Sequence, residues 1–253
     1  FLAMTAIMGN AYKLHTPWSI STALKRGLNK VSNPYQAGPF FLLMPMNIQP
    51  QMLAGFNLRE LPCGEPPRLG PAMDGYQQAS EWIKEAKQVL IKVGGGGIEA
   101  TQEILQLLEL ADSVCVYTPI ATGVVPYHHP RCMGVGGSKG SLCGNFAMDE
   151  ADLLIAIGTR AVCQSDSSRT GYPNVQHVIN INANLDDATH YLDTLALVGD
   201  AQATIQQLNR LLSESLGEKN SGYSIWLEKC LDKKKAWEAF KGERYAHRTL
   251  KDP

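Results

Sequence analysis

Short apolar segments alternate with helical repeats from residue 76 to residue 212, and this alternation constrains the fold more than any other feature of the chain. Val89–Val93 is an apolar segment of strand length, and apolar residues from 100 to 111 then recur at helical spacing. Further strand-length segments lie at 113–117, 153–157, 177–182 and 197–198, and a last helical repeat lies at 201–212. Strands that alternate with helices pair in parallel through right-handed crossovers. The sequence therefore predicts an α/β fold: a doubly wound parallel sheet, Rossmann-like, with helices on both faces.

Three further parts surround this region. A helical repeat within 19–31 and an apolar strand at 40–44 belong to a first part, 1–58. Prolines and glycines are frequent from 59 to 74, where they prevent helix formation and predict an extended linker. We assign 75–217 to the central α/β domain. Residues 218–253 carry aromatic side chains at helical spacing and are assigned to a helical connector.

Composition and charge exclude several classes of partner. The net charge of −1 provides no electrostatic attraction for nucleic acid. No apolar run reaches the roughly 18 to 20 residues that a membrane span needs. The six cysteines are scattered, without a C-x-x-C pair, so we expect reduced thiols and a cytoplasmic protein. His128 and His129 lack a third ligand at suitable spacing, so we predict no metal site within the chain.

Four consecutive glycines, Gly94 to Gly97, follow the strand at 89–93 and precede a helix. Glycine lets the backbone approach a ligand closely, and a helix N-terminus offers free N–H groups to a phosphate. The alternative is a tight turn that packs the helix against the strand. A dinucleotide fingerprint is not present, because Glu99 takes the place of the third glycine and Tyr117-Thr118-Pro119 supplies no carboxylate for a ribose. The sequence therefore disfavours NAD.

Two more loops with ligand-binding character follow later in the chain. The loop 134–141 has glycine at every third position, with Ser138 and Lys139 as donors between them. Gly158-Thr159-Arg160 follows the strand at 153–157, where doubly wound sheets bind ligands, and an arginine suits a phosphate. The alternatives are a solvated lysine and a structural ion pair of the arginine. We expect the three loops to lie at one edge of the sheet and to share a groove.

Six short motifs occur in order along this region. They are Lys92-Val93-Gly94-Gly95-Gly96, Thr118 to Gly123, His129-Pro130, the glycines of 134–140, Gly158-x-Arg160 and Val198-Gly199-Asp200. Together they resemble the central domain of thiamine-diphosphate-dependent enzymes of the acetolactate-synthase type, from about Ala79 to Leu212. Upstream, residues 38–45 are similar to the end of the family's pyrimidine-binding domain.

The resemblance implies that the central domain holds FAD or ADP at these loops, or serves only as a scaffold. The residues that would contact such a nucleotide are Gly94, Gly95, Gly96, Thr118, Gly137, Ser138, Lys139, Gly158, Thr159, Arg160, Asn182, Asn184, Gly199 and Asp200. Flavin is in question, because Asn182-Ala183-Asn184 replaces an acidic Asp-x-Asp of acetolactate synthases and Ala161–Asp166 replaces a Phe-Asp-Asp-Arg stretch. The Asn-x-Asn end is closer to relatives that hydrolyse a cyclic diketone. Other relatives use this domain for coenzyme A or leave it empty.

The resemblance also implies which parts are missing. In the family, thiamine diphosphate needs an activating glutamate in the first domain, and Mg²⁺ and the diphosphate need a Gly-Asp-Gly segment and an asparagine in the third. We find neither, so we expect no catalytic residue and no activity from this chain alone. We interpret the chain as the tail of the pyrimidine-binding domain, the central domain and the connector to an absent diphosphate-binding domain.

The function that we expect is therefore that of a fragment. The whole protein would form or cleave a C–C bond next to a carbonyl of a small-molecule substrate, as in the decarboxylation and ligation of 2-keto acids. One alternative is a diketone hydrolase, and another is a stand-alone, non-catalytic nucleotide-binding or regulatory module. We expect a homo-oligomer, a dimer or a tetramer, with no nucleic-acid or membrane partner.

Overall fold

The computed structural model describes residues 1–33, 37–53, 70–160, 171–188, 192–216 and 224–246. The chain divides into two units, Phe1–Arg68 and Leu69–Pro253. Most of the linker predicted at 59–74 lies outside the described residues, as does the segment Ala161–Asp166.

The first unit is a small β-α-β arrangement. Its elements are α1 (Leu2–Met8), β1 (Asn10–Lys13), α2 (Ile20–Val31) and β2 (Phe40–Leu43). β1 and β2 pair in parallel, from Asn10 opposite Phe40 to Lys13 opposite Leu43. α2 packs close to β2 at Gly27, where an added Cβ would lie 2.9 Å from the ring of Phe40. The helix and the strand that the sequence predicts in this part are confirmed.

The second unit contains the predicted sheet. Its strands are β3 (Val89–Val93), β4 (Val114–Tyr117), β5 (Cys132–Val135), β6 (Leu153–Ile157), β7 (His177–Asn182) and β8 (Thr194–Val198). Its helices are α3 (Met73–Glu85), α4 (Thr101–Leu110), α5 (Leu142–Glu150), α6 (Ala201–Leu216) and α7 (Ile225–Ala246). None of the described helices is long and apolar enough to cross a membrane.

The sheet of the second unit is parallel throughout, in the order β5-β4-β3-β6-β7-β8. The chain adds strands on one side of β3 and then returns to its other side at β6, which confirms the doubly wound α/β class. The sequence pattern predicts five strands, and the structure corrects this to six by adding β5. β5 escapes the pattern because it is four residues long, contains Gly134 and pairs with β4 through a register shift.

The two faces of this sheet bury separate apolar cores. α3, α4 and α6 cover the face that carries Ile91 and Ile155. α5 and α7 cover the opposite face, which carries Leu90 and Leu154. Successive residues of a strand point to opposite faces, so strands buried on both sides are apolar at nearly every position. Helices therefore cover both faces, as predicted.

α7 is attached to the sheet through its first turns. Trp226 and Cys230 are buried in the second core. The indole Nε1 of Trp226 donates a hydrogen bond to the backbone carbonyl of Val89, 3.1 Å away. About two turns beyond Trp226, the Lys234 ammonium donates to the carbonyl of Tyr127 at 2.8 Å. The segment that we predicted as a connector thus also covers one face of the sheet.

Candidate functional site

The site residues predicted from the sequence lie where the strands of the second unit end. Because these strands are parallel, the loops that follow β3 to β7 lie at one edge of the sheet, which we call the carboxyl edge. It carries the glycine segment 94–97, Thr118, the loop 134–141, residues 158–160 and residues 182–184. The chain reverses its direction of strand addition between β3 and β6, and this is the position where doubly wound sheets bind ligands.

At this reversal point two loops touch through their backbones. The N–H of Gly94 donates to the Ile157 carbonyl at 2.8 Å, and the N–H of Gly96 donates to the Gly158 carbonyl at 3.1 Å. A Cβ on Gly94 would lie 2.4 Å from the carbonyl oxygen of Gly158, and a Cβ on Gly158 would lie 2.5 Å from the backbone of Gly96. Gly158 also has a φ of +56°, which favours glycine. We call this contact of Gly94, Gly96 and Gly158 the glycine crossing.

The glycine crossing engages N–H groups that a bound phosphate would otherwise need. In addition, the N–H of Gly97 donates to the Gly94 carbonyl at 3.0 Å. Residues 95–100 form a 3-10 helix, and α4 begins only at Thr101. A phosphate-binding glycine loop instead opens directly onto an α-helix and leaves its amides for the ligand. The geometry therefore fits the tight-turn interpretation of Gly94 to Gly97 better than the phosphate-binding one.

The loop 134–141 is held by side chains. The N–H of Gly137 donates to Oδ1 of Asn145 at 2.8 Å. The Ser141 hydroxyl donates to the Met133 carbonyl at 2.7 Å and accepts from the N–H of Gly144 at 3.0 Å. Ser141 is therefore the N-cap of α5, and it joins the start of this helix to β5.

Ser138 and Lys139 lie on the exposed part of the same loop. β4 separates β5 from β3, so this loop and the glycine crossing are two strand spacings, roughly 10 Å, apart. The structure thus brings two of the three predicted loops into contact, and the third lies on the far side of β4.

Thr118 directly follows β4, whose end lies between these two loops. Its N–H donates to the Val93 carbonyl at 2.9 Å, and the residue is 8% exposed. Its hydroxyl is buried and has no hydrogen-bond partner in the part of the chain that the structure describes. A buried polar group without a partner costs about 1 to 3 kcal/mol, so this hydroxyl favours a ligand or a water molecule at the carboxyl edge.

Asn182 joins the ends of β6 and β7. Its Nδ2 donates to the Thr159 carbonyl at 3.0 Å and to the Asp187 carbonyl at 3.3 Å. Its Oδ1 accepts from the N–H of Asn184 at 3.2 Å. Thr159 and Asn182 are buried, whereas Arg160 is exposed. Arg160 therefore directly follows a residue at the end of β6, Thr159, whose carbonyl is hydrogen-bonded by Asn182.

The remaining predicted site residues take part in turns and helix caps. Oδ1 of Asn184 accepts from the N–H of Asp186 at 3.3 Å, within the turn that follows β7. Oδ1 of Asp200 accepts from the N–H of Ala203 at 2.8 Å, at the start of α6. Gly199 lies between β8 and α6. Each of these positions has a local structural role.

Two buried cationic side chains, Arg131 and Lys92, are not among the site residues predicted from the sequence. Arg131 is 6% exposed and lies 3.0 Å from carboxylate oxygens of both Glu109 and Asp112. Lys92 is 0% exposed, and its Nζ lies 5.6 Å from the centre of the Tyr172 ring. The position of Lys92 inside an apolar strand is a sequence signal for burial, whereas nothing in the sequence around Arg131 signals its two partners.

Burial also changes the acidity of several groups in the second unit. It raises the pKa of the thiols of Cys115 and Cys132 and of the Tyr117 phenol, so all three are neutral near pH 7. It lowers the pKa of Lys234, in spite of nearby groups that raise it. Within the described ranges, no group of three His, Cys, Asp or Glu side chains could hold a metal ion.

Comparison with known proteins adds to this geometry. Residues 76–208 match the model of a family described as "Thiamine pyrophosphate enzyme, central domain". This range begins in α3 and ends in α6, and so includes all six strands of the sheet.

The chain is also similar to curated proteins named 3D-(3,5/4)-trihydroxycyclohexane-1,2-dione hydrolase. The protein of Listeria innocua is 30% identical over 225 residues, which cover 85% of this chain and 35% of the relative. For Lacticaseibacillus casei the identity is 26%, over 95% of this chain and 37% of the relative. For Bacillus subtilis it is 28%, over 79% of this chain and 32% of the relative. The chain thus spans about a third of the length of these relatives.

Proposed function

The chain belongs to the thiamine pyrophosphate enzymes, whose central domain it contains, and from this premise we propose that the whole protein hydrolyses a cyclic 1,2-diketone. The main support is the similarity, over 85% of the chain, to a hydrolase named for a trihydroxycyclohexane-1,2-dione. A second support is the Asn-x-Asn end of β7, which replaces the acidic residues of acetolactate synthases. Decarboxylation and ligation of 2-keto acids is the alternative reaction.

For the whole protein we propose thiamine diphosphate and Mg²⁺ as cofactors. When bound, thiamine diphosphate supplies the nucleophile and the electron sink for cleavage next to a carbonyl. We assign its binding to other parts of the whole protein, since this chain spans about a third of its relatives. Within this chain we assign no catalytic residue.

For this chain itself we propose a site at the carboxyl edge for a nucleotide that carries a diphosphate, such as ADP or FAD. The observation that carries this proposal is the buried Thr118 hydroxyl, which lacks a partner among the described residues. Lys139 and Arg160 are exposed cations on loops to either side of it, after β5 and β6. The negative charge of a diphosphate attracts the side chains of both Lys139 and Arg160. The guanidinium group of an arginine can also bind a phosphate through two parallel hydrogen bonds.

A scaffold role without a ligand is the second candidate. The glycine crossing favours it, because the N–H groups of Gly94, Gly96 and Gly97 donate to backbone carbonyls. In this role the domain would hold the catalytic domains of the whole protein in place and bind no small molecule itself.

We further propose that the whole protein is a cytoplasmic homo-oligomer, a dimer or a tetramer. The buried free thiols of Cys115, Cys132, Cys143 and Cys230 fit a reducing compartment. Light scattering of the whole protein should yield a mass of at least two subunits, and a monomer would contradict this part of the proposal.

The reaction is tested on the whole protein, with thiamine diphosphate and Mg²⁺ added. We expect ring opening of a trihydroxycyclohexane-1,2-dione and no formation of acetolactate from pyruvate. Turnover of pyruvate without turnover of the diketone would instead support the alternative reaction.

The nucleotide site is tested by isothermal titration of the 253-residue chain with ADP and with FAD. We expect Arg160→Ala to weaken binding about tenfold, the equivalent of one charge-assisted hydrogen bond, without a change in melting temperature. Arg210→Ala is the matched control, because Arg210 is an exposed arginine on α6. If neither nucleotide binds the unmodified chain, the scaffold role is supported instead.

A further inference from the structure

We propose that Asn182 is a positioning residue, which sets the direction of Arg160 toward the diphosphate of the ligand. The inference rests on the nucleotide site proposed above. Arg160 follows Thr159 directly, and the carbonyl oxygen of Thr159 accepts a hydrogen bond from Nδ2 of Asn182 at 3.0 Å. This hydrogen bond fixes the peptide plane from which Arg160 continues, just after β6 ends.

The Asn182 side chain acts on the backbone, and its groups are engaged there. A carboxamide has two N–H donors, and those of Asn182 go to the carbonyls of Thr159 and Asp187. Its oxygen accepts from the N–H of Asn184. The residue is 8% exposed. Asn182 thus forms hydrogen bonds with three backbone groups from two loops. We therefore assign it a positioning role and assign the contact with the ligand to Arg160.

A second asparagine strengthens this arrangement. Asn180 lies two residues earlier in β7, on the same face of the sheet. Its Nδ2 donates to the same Asp187 carbonyl, at 3.1 Å. The side-chain amides of Asn180 and Asn182 therefore hydrogen-bond the turn after β7 to its own strand. Asn182 also hydrogen-bonds the end of β6, through the Thr159 carbonyl.

The arrangement requires an amide at position 182. An aspartate has the same shape, but its ionised carboxylate cannot donate, and it would face the carbonyl oxygens of Thr159 and Asp187. Two hydrogen bonds would be replaced by repulsion between acceptors. Protonation restores one donor, so the pKa of an aspartate at this position would be raised by the fold.

The test is Asn182→Asp, measured by isothermal titration of the 253-residue chain with ADP from pH 5 to pH 8. Relative to the unmodified chain at each pH, we expect affinity to fall about tenfold at pH 8 and to recover in part at pH 5. Asp186 and Asp187 lie in the adjoining turn of both proteins, so their charges are common to the two measurements. Added to Arg160→Ala, the substitution should weaken binding no further, because Asn182 acts through Arg160.

The matched control is Asn174→Asp. Nδ2 of Asn174 donates to the Asp149 carbonyl at 2.7 Å on an exposed surface. This substitution therefore also removes a hydrogen bond from an amide to a backbone carbonyl, but away from the proposed site. We expect unchanged affinity for ADP. If Asn182→Asp does not fold, Asn182→Ser keeps one donor without a charge, and we expect a loss of about threefold at every pH.

The outcomes separate the two proposals. An unmodified chain that does not bind ADP overturns the nucleotide site and the role of Asn182 with it. An unmodified chain that binds ADP, together with an Asn182 variant that has no effect or adds its full effect to that of Arg160→Ala, overturns only the role of Asn182.

Discussion

The segment 94–97 and the loop 134–141 are both rich in glycine and lie at the same edge of the sheet, but different contacts hold them. In the first, the N–H groups of Gly94 and Gly96 donate to the backbone carbonyls of Ile157 and Gly158. In the second, the side chains of Ser141 and Asn145 bind the loop. The first loop contributes to packing at a point where side chains would collide. The second is also tight at Gly140, where a Cβ would lie 2.5 Å from the Val135 carbonyl oxygen, but it leaves Ser138 and Lys139 exposed.

This difference shows that a glycine-rich loop at a ligand-binding position need not be a ligand-binding loop. What decides is where the N–H groups of the loop point. Those of Gly94, Gly96 and Gly97 point to carbonyls of the protein. The comparison therefore predicts large losses of stability from changes at the glycine crossing, moderate losses at Ser141, and effects on binding alone at Lys139.

The largest effect is expected from Gly158→Ala. The new methyl group would lie 2.5 Å from the backbone of Gly96, at a φ of +56°. Backbone strain and overpacking together should lower the free energy of unfolding by about 3 to 5 kcal/mol, measured by urea denaturation. Gly123→Ala is the control, because Gly123 has a φ of +98° with open space around it. It should lose only the strain contribution, about 1 to 2 kcal/mol. Equal losses at both positions would show that the close contact is unimportant.

A moderate effect is expected from Ser141→Ala. It removes the N-cap of α5 and the hydrogen bond to the Met133 carbonyl. The free energy of unfolding should fall by about 1 to 2 kcal/mol, measured in the same way. Ser213→Ala removes a hydroxyl that donates to the Asn209 carbonyl within α6, and should cost less than about 0.5 kcal/mol. If the Ser141 variant is as stable as the Ser213 variant, the side chain of Ser141 does not stabilise the loop 134–141, which would contradict the proposed difference between the two loops.

The smallest effect is expected from Lys139→Ala. Lys139 is exposed, so the melting temperature should not change. Affinity for ADP should fall about two- to fivefold, the range of an exposed ionic contact. Lys84→Ala, on the exposed side of α3, should leave the affinity unchanged. If Lys139→Ala also leaves it unchanged, the loop 134–141 is not part of the nucleotide site.

Most of the second unit could be predicted from the sequence because its strands are buried on both faces. Such strands are mostly apolar, as β3 and β6 are, and β3, β6 and β7 have the predicted bounds. β8 begins at Thr194, earlier than the segment predicted from Leu197, because its first three residues are partly buried or exposed and give no apolar run. β5 is missed because a strand of four residues with a glycine has no period to detect.

The candidate site was harder to predict because its contacts join distant parts of the chain. The motifs correctly place Gly94 to Gly97 and Gly158 after strands, but the glycine crossing links loops about 60 residues apart in sequence. No local pattern encodes such a contact. For the same reason the sequence identifies Asn182 as an unusual residue without revealing that its amide meets Thr159 and Asp187. Arg131 likewise finds its partners 22 and 19 residues away.

The packing of α7 decides where a shortened version of this protein can end. The family match stops at residue 208, but Trp226 and Cys230 fill the core on one face of the sheet. A version trimmed to the matched range would expose Leu90 and Leu154 to solvent. The resulting apolar surface would promote aggregation. Expression of this domain by itself therefore requires residues at least through the first turns of α7.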